Sequence, residues 1–183
     1  MTLNVLLTGF APFGKYNTNP SGNIARALNG KTVGEAQVIG RVLPVEHRVS
    51  ASQVHEYMMT EKPDVVIGTG IFASRGCISL ENIALNWFYY QDKDKDDDVN
   101  EPLFEDGKEA YFSTLPLPAI KDSLEGNGIP AEQSFNADTY VSNEVFYEIM
   151  RASEKFGIKK ADIALMDGFL RFAVINIDST IAK

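Results

Sequence analysis

Apolar residues recur along the chain in short runs and stripes that alternate strand-like and helix-like spacing. Val5–Leu7 lie in a continuous apolar run ending at Thr8-Gly9, the pattern of a strand buried on both faces. Ser21 follows Asn19-Pro20, and with Ile24, Ala25 and Leu28 beyond it predicts a helix capped by Ser21. Val38–Leu43 is β-rich and stops at Pro44. A helix beginning at Ser50 or Ser52 carries Val54, Tyr57 and Met58 at i, i+3 and i+4, and Pro63 closes it. Val65–Ile67 reads as a third strand and Ile78–Asn86 as a fourth. Residues 91–107, with aspartates at 92, 94, 96, 97 and 98, read as a solvated loop. A further ordered stretch covers Ala110–Pro116. A helix over Pro118–Glu125 ends at Gly126 and Gly128. Ala131–Phe135 is a short strand, Val141–Phe156 a helix stopped by Gly157, and Ile163–Val174 the last β-like segment. Strands alternating with helices predict an α/β fold with a mainly parallel sheet, and no linker divides residues 1–183.

Composition narrows the function. With 44% hydrophobic residues in 183, the chain can bury one real core and is not disordered. A net charge of −8 argues against a phosphate-backbone partner, so no nucleic acid is expected. The single cysteine, Cys77, excludes an internal disulfide and reads as a small packed residue. The N-terminal apolar run has no basic start and is too short to cross a membrane, which predicts a cytoplasmic protein.

Three motifs test poorly against their chemistry. Gly68-Thr-Gly70-Ile-Phe-Ala73 matches a loose dinucleotide fingerprint, but a β-like run rather than a helix follows it. Asp92-Lys-Asp94-Lys-Asp96 opens like a calcium loop, yet its sixth position is Asp97 rather than glycine and its twelfth is Leu103 rather than glutamate. Two histidines, His47 and His55, and one cysteine cannot build a structural zinc site. No metal or cofactor is expected. Phe10-Ala-Pro-Phe13-Gly14 is more informative. It follows the first strand, at the end of an α/β sheet that faces ligands.

Several stretches together resemble the pyroglutamyl peptidase I family: Leu6–Gly14, Asn19-Pro20, Arg41–Val45, Pro63-Asp64, Arg75, Ile78–Asn86 and Ala110–Pro116. The likeness continues through Gly128–Ala131, Tyr140-Val-Ser-Asn143 and Gly168-Phe-Leu170. This resemblance implies an α/β/α sandwich around a twisted sheet. It also implies a cytosolic, cofactor-free cysteine peptidase that removes N-terminal pyroglutamate, and a dimer or tetramer. The ligand would be a peptide ending in pyroglutamate or a similar small lactam, which suits an apolar slot with a few hydrogen bonds. By similarity Phe10, Phe13 and Asn19 would bind it, and Glu81 would orient the histidine of a triad.

The match departs where the chemistry belongs. Ser142 stands at the nucleophile position and Arg171 at the histidine position. The arginine expected after Asn86 falls near Gln91, and Ala137-Asp138 replaces Ala-Gly. The chain also ends sooner than the family pattern, which predicts uncovered apolar sheet surface and a contact there. A serine hydroxyl needs a base, and arginine stays protonated. Glu81 and Arg171 therefore suit an ion pair better than a proton relay. The residues predict a relative whose peptidase activity is lost or strongly weakened. The competing readings are a serine-variant peptidase or amidase using Ser142, with His47 swinging in as base, and a non-catalytic interaction protein.

Overall fold

The computed structural model describes residues 3–72, 75–92, 97–156 and 162–168. Its elements run β1 (Leu3–Phe10), α1 (Pro20–Leu28), β2 (Thr32–Val33), β3 (Ala36–Leu43), α2 (Val49–Glu61) and β4 (Val65–Gly70). Then come β5 (Ile78–Glu81), β6 (Ile83–Leu85), β7 (Phe88–Asp92), β8 (Asp97–Glu101), β9 (Ala110–Phe112) and α3 (Leu117–Gly126). The described chain finishes with β10 (Ala131–Ser134), α4 (Val141–Phe156) and β11 (Asp162–Gly168).

Seven strands form the central sheet in the order β10-β5-β11-β4-β1-β3-β2. β3, β1, β4 and β11 are mutually parallel, and β5 with β10 runs antiparallel to them. The sheet is therefore mixed but mainly parallel. Strand alternation divides the core in two. Leu6, Phe10 and Val66 join Val54 and Met58 of α2 and Val141, Val145, Phe146 and Ile149 of α4 on one face. Leu7 and Val38 join Ile24 of α1 and Leu117 of α3 on the other. Neighbouring strand residues serve opposite faces because strand side chains alternate, and the result is an α/β/α sandwich.

Some local expectations change. Asn19, not Ser21, caps α1: its side chain accepts the Ser21 N–H, and Pro20 takes the first helical position, where its missing donor costs nothing. α2 starts after Arg48, at φ 62°, with no side-chain cap. Ser50, expected as a possible helix start, instead donates its hydroxyl to the Pro44 and Glu46 carbonyls. The expected fourth strand is two, β5 and β6, in different sheets, with β6 pairing β9. The stretch expected as a solvated loop contains β8, hydrogen-bonded to β7 as a hairpin with Tyr90 opposite Val99. Cross-strand pairing rescues a segment whose acidic composition hides its alternation. Gly68 and Gly70 lie inside β4, so no helix opens between them to cradle a pyrophosphate. Cys77 is half-buried, and burial with Glu132 nearby raises its thiol pKa. Residues 169–174 of the expected last strand lie outside the described residues.

α1 lies so close to the sheet that only glycine fits beneath it. A Cβ on Gly9 would stand 2.1 Å from the Ser21 carbonyl oxygen, and one on Gly40 1.8 Å from that of Ala25. Neither contact can be relieved by moving a flexible side chain. Gly9→Ala is expected to destabilise the fold by roughly 3 kcal/mol or more, the range of severe overpacking. Urea denaturation measures it, and a loss below ~1 kcal/mol would show that α1 can move away.

Candidate active site

The loops after β1 and β4 and the approach to α4 enclose a cavity of about 570 Å³, lined by Phe13, Tyr16, Thr18, Phe72, Tyr140 and Ser142, with Asp138 among its remaining wall residues. Its position, at the carboxyl ends of parallel strands, is where open α/β sheets bind ligands. Four of its lining residues, Phe13, Tyr16, Phe72 and Tyr140, are aromatic. Phe13 and Tyr16 meet edge to face at 6.1 Å, and Tyr140 packs on Tyr90 of the β7–β8 hairpin at 5.2 Å.

Ser142 reaches this cavity from the first turn of α4. The buried Asn143 side chain holds that turn in place. It accepts the Leu85 N–H at 2.8 Å and donates to the carbonyls of Leu85 and Trp87 at 2.9 and 3.0 Å. Before the helix, Asp138 adopts φ 63°. Asp and Asn are the non-glycine residues that tolerate this region best. Its Oδ1 accepts the Thr139 N–H at 2.8 Å and its own N–H donates to Asn136 Oδ1 at 3.0 Å. Ser142 thus stands in the first turn of α4, where the helix dipole has its positive end and the backbone N–H groups have no partner within the helix.

Glu81 lies at the end of β5, wholly buried, on the same sheet face as α4. Its Oε1 meets the Arg75 guanidinium, which also donates to the Asn136 carbonyl at 2.8 Å and lies over the Phe72 ring. Glu81 Oε2 is buried with no hydrogen-bond partner among the described residues. Arg171, expected as the partner of Glu81, lies outside the described residues. The cation that does meet Glu81, Arg75, was visible in the sequence only as part of a resembling stretch.

The other expected ligand-binding residues divide. Phe13 lines the cavity, 38% exposed. Phe10 does not; it is buried in the core between the sheet and α2 and α4. Asn19 is buried and committed to α1 and to the Ala11 carbonyl at 3.1 Å. Both support the loop that carries Phe13 rather than forming the wall. Tyr16, Thr18, Phe72 and Tyr140 complete the wall and escaped the sequence reading, because nothing in their spacing distinguishes them from ordinary loop aromatics and polars.

The two histidines sit elsewhere. His47 Nδ1 is 3.1 Å from Glu144 Oε2, and its ring stacks on Phe88 at 3.7 Å. His55 Nδ1 is 2.6 Å from Glu148 Oε1. Residues 142 and 144 are about 200° apart around the α4 axis, so the Glu144 side chain that holds His47 leaves the helix on a different face from Ser142. Burial raises the Glu144 pKa, against the lowering effects of His47 and the Arg48 N–H. Among the described residues, no group of three or more His, Cys, Asp or Glu side chains could hold a metal ion, and no helix is long and apolar enough to cross a membrane.

Fold and cavity together describe an α/β protein with a ligand-sized cavity at the N-terminus of a helix, and comparison with known proteins sharpens this. The pyroglutamyl peptidase family model matches residues 3–181, and the chain belongs to that family. The pyrrolidone-carboxylate peptidase of Halalkalibacterium halodurans is 41% identical over 147 residues, 80% of this chain and 73% of that protein. That of Bacillus cereus strain B4264 is 39% identical over 82% of this chain and 71% of its own length. Among solved structures, a mutant pyrrolidone carboxyl peptidase from P. furiosus superposes with a TM-score of 0.85 at 35% identity, covering 95% of this chain and 85% of that one. The enzyme from Thermococcus litoralis gives 0.84 at 35% identity, over 91% and 77%.

Two outcomes follow from this geometry. Asn143→Ala removes three buried hydrogen bonds and strands one N–H and two carbonyls, so it is expected to cost about 2–4 kcal/mol; thermal unfolding reads it, and a shift of under 1 °C would contradict the clamp. Because the Glu144 pKa is raised in the folded state, its ionisation opposes folding, and this contribution to stability declines as pH rises from the ordinary value of 4.5 through the folded value. Glu144→Gln is expected to flatten that part of the stability–pH curve, measured by denaturation at stepped pH. An unchanged slope would contradict it.

Proposed function

We propose that this protein is a pyroglutamyl peptidase relative that keeps a slot for a pyroglutamyl or similar lactam end and has lost, or strongly weakened, the hydrolytic step. The carrying observation is the placement of the histidines. The chain has two, both are held by carboxylates of α4, and neither lines the cavity that contains Ser142. Ser142 accordingly has no imidazole to take its proton, and Arg171, at the histidine position, is a cation that cannot replace one. In this reading Glu81, Ser142 and Arg171 are the remnants of a triad. Phe13 is the wall against which a lactam ring packs, with Phe10 and Asn19 supporting it from behind. Family membership supports the wider picture: a single domain over residues 1–183, a cytoplasmic location and a homo-oligomer, dimer or tetramer.

The helix N-terminus beside Ser142 favours one competing reading, since its N–H groups would stabilise an oxyanion. A serine-variant peptidase or amidase would then retain slow turnover through Ser142.

In subtilisin, loss of the nucleophile or the histidine alone costs on the order of a million-fold in kcat. Purified protein is therefore expected to release the fluorophore from pyroglutamyl-aminomethylcoumarin at least ~10⁴-fold more slowly than the Halalkalibacterium relative. Ser142→Cys combined with Arg171→His is expected to raise the rate far above either single change. Turnover comparable to the relative's would sink the proposal. Slow turnover abolished by Ser142→Ala would establish the serine variant instead.

A further inference from the structure

Among the described residues, Asp138 is the one acidic residue in the cavity wall. It is exposed, and it occupies a backbone conformation, φ 63°, in which a side chain is disfavoured. Its Oδ1 is engaged by the Thr139 N–H. No cationic side chain among the described residues pairs with it. The nearby cations are otherwise placed: Arg75 is bound to Glu81 and Asn136, and the Lys15 ammonium lies over the Tyr16 ring, 5.8 Å from its centre. Asp138 and Ser142 line the same cavity, Oδ2 of Asp138 takes no hydrogen bond among the described residues, and the rings of Phe13, Tyr16, Phe72 and Tyr140 stand in the same wall. A carboxylate with no cationic side chain paired to it, close to aromatic rings, can attract a ligand's cation by Coulomb interaction and by cation–π contact, beyond what the adjacent helix N-terminus already offsets.

We infer that Asp138 sets the ligand preference of this slot: a lactam-ended peptide whose next residue carries a positive charge, lysine or arginine. The inference rests on the lactam reading for the first residue and adds the class of the second. The pair would be solvent-accessible, so its effect is modest, about a two- to fivefold gain in affinity, and it weakens with added salt.

Isothermal titration of the intact protein with the amidated tripeptides pyroglutamyl-Lys-Ala, pyroglutamyl-Ala-Ala and Gln-Ala-Ala separates the two claims. The expected result is tighter binding of the Lys peptide than the Ala peptide at ~20 mM salt, with the ratio shrinking toward one at ~300 mM. In Asp138→Asn, which keeps a side chain tolerant of positive φ, the ratio is expected to be near one at both salts; far-ultraviolet circular dichroism confirms folding. Equal binding of Lys and Ala peptides, with pyroglutamyl preferred over Gln, overturns the role of Asp138 and leaves the lactam slot intact. A Lys preference abolished by Asp138→Asn, without preference for pyroglutamyl over Gln, overturns the lactam reading and keeps Asp138. A Lys preference that survives Asp138→Asn overturns the inference. Binding of none of the three peptides overturns both.

Discussion

The seating of α4 against the sheet is the constraint on which the site depends. Its apolar face, through Val141, Val145, Phe146 and Ile149, closes one half of the core. Burial of that face fixes the helix axis, but apolar packing alone is non-directional and does not set the position of the first turn. Asn143 supplies direction. Its amide meets both a donor and an acceptor of the β6 backbone and a further carbonyl just beyond. Such a match is satisfied in only one register. A slip of α4 would leave buried polar groups unpaired, so the residue before the clamp, Ser142, is held at a fixed place in the cavity.

The electrostatic arrangement on this sheet face divides into two separate systems. Glu81 and Arg75 tie β5 to the segment before α4 through the Asn136 carbonyl. Glu144 and Glu148 face away from the cavity and bind the two histidines, with Arg151 also on Glu148. The first system is a buried carboxylate held through one oxygen by a guanidinium, its other oxygen without a hydrogen-bond partner among the described residues. The second contains the chain's imidazoles, occupied in joining α4 to α2 and the segment before it. Proton-transfer groups are thus present in the molecule, on a helix face that does not meet the serine. The two imidazoles are held by carboxylates on a face of α4 other than the one that carries Ser142 into the cavity.

The sequence made the layered architecture legible because strand alternation and helical stripes are local signals. Leu6 and Leu7 serve opposite faces, as a doubly buried strand requires. Where long-range pairing decides the outcome, local reading fell short. β8 is strand because β7 lies beside it, and five aspartates within seven positions conceal that. The N-cap of α1 lay two residues before the expected one, since Asn19 and Ser21 are both good caps and the loop path chooses between them. At the site, the resemblance singled out Ser142, which lines the cavity, and Glu81, which is buried at the end of β5, but the Arg75–Glu81 pair and the aromatic wall depend on loop conformation. Phe10 and Phe13 share one motif, yet one is core and the other wall: the chain leaves β1 between them, and the alternation that relates strand positions no longer applies.

Asn19 has a consequence of its own. Its amide reaches back across the loop to the Ala11 carbonyl while its oxygen takes the Ser21 N–H and hydroxyl, and Ala11 is in turn bonded to Leu43. The loop bearing Phe13 and Tyr16 is thus drawn shut at its neck like a purse. Everything below the neck belongs to the sheet and α1, and the aromatic rim above it is carried by a loop whose two ends are fastened to each other. The reach of Phe13 and Tyr16 from the sheet is thereby set by the few residues between the fastened ends.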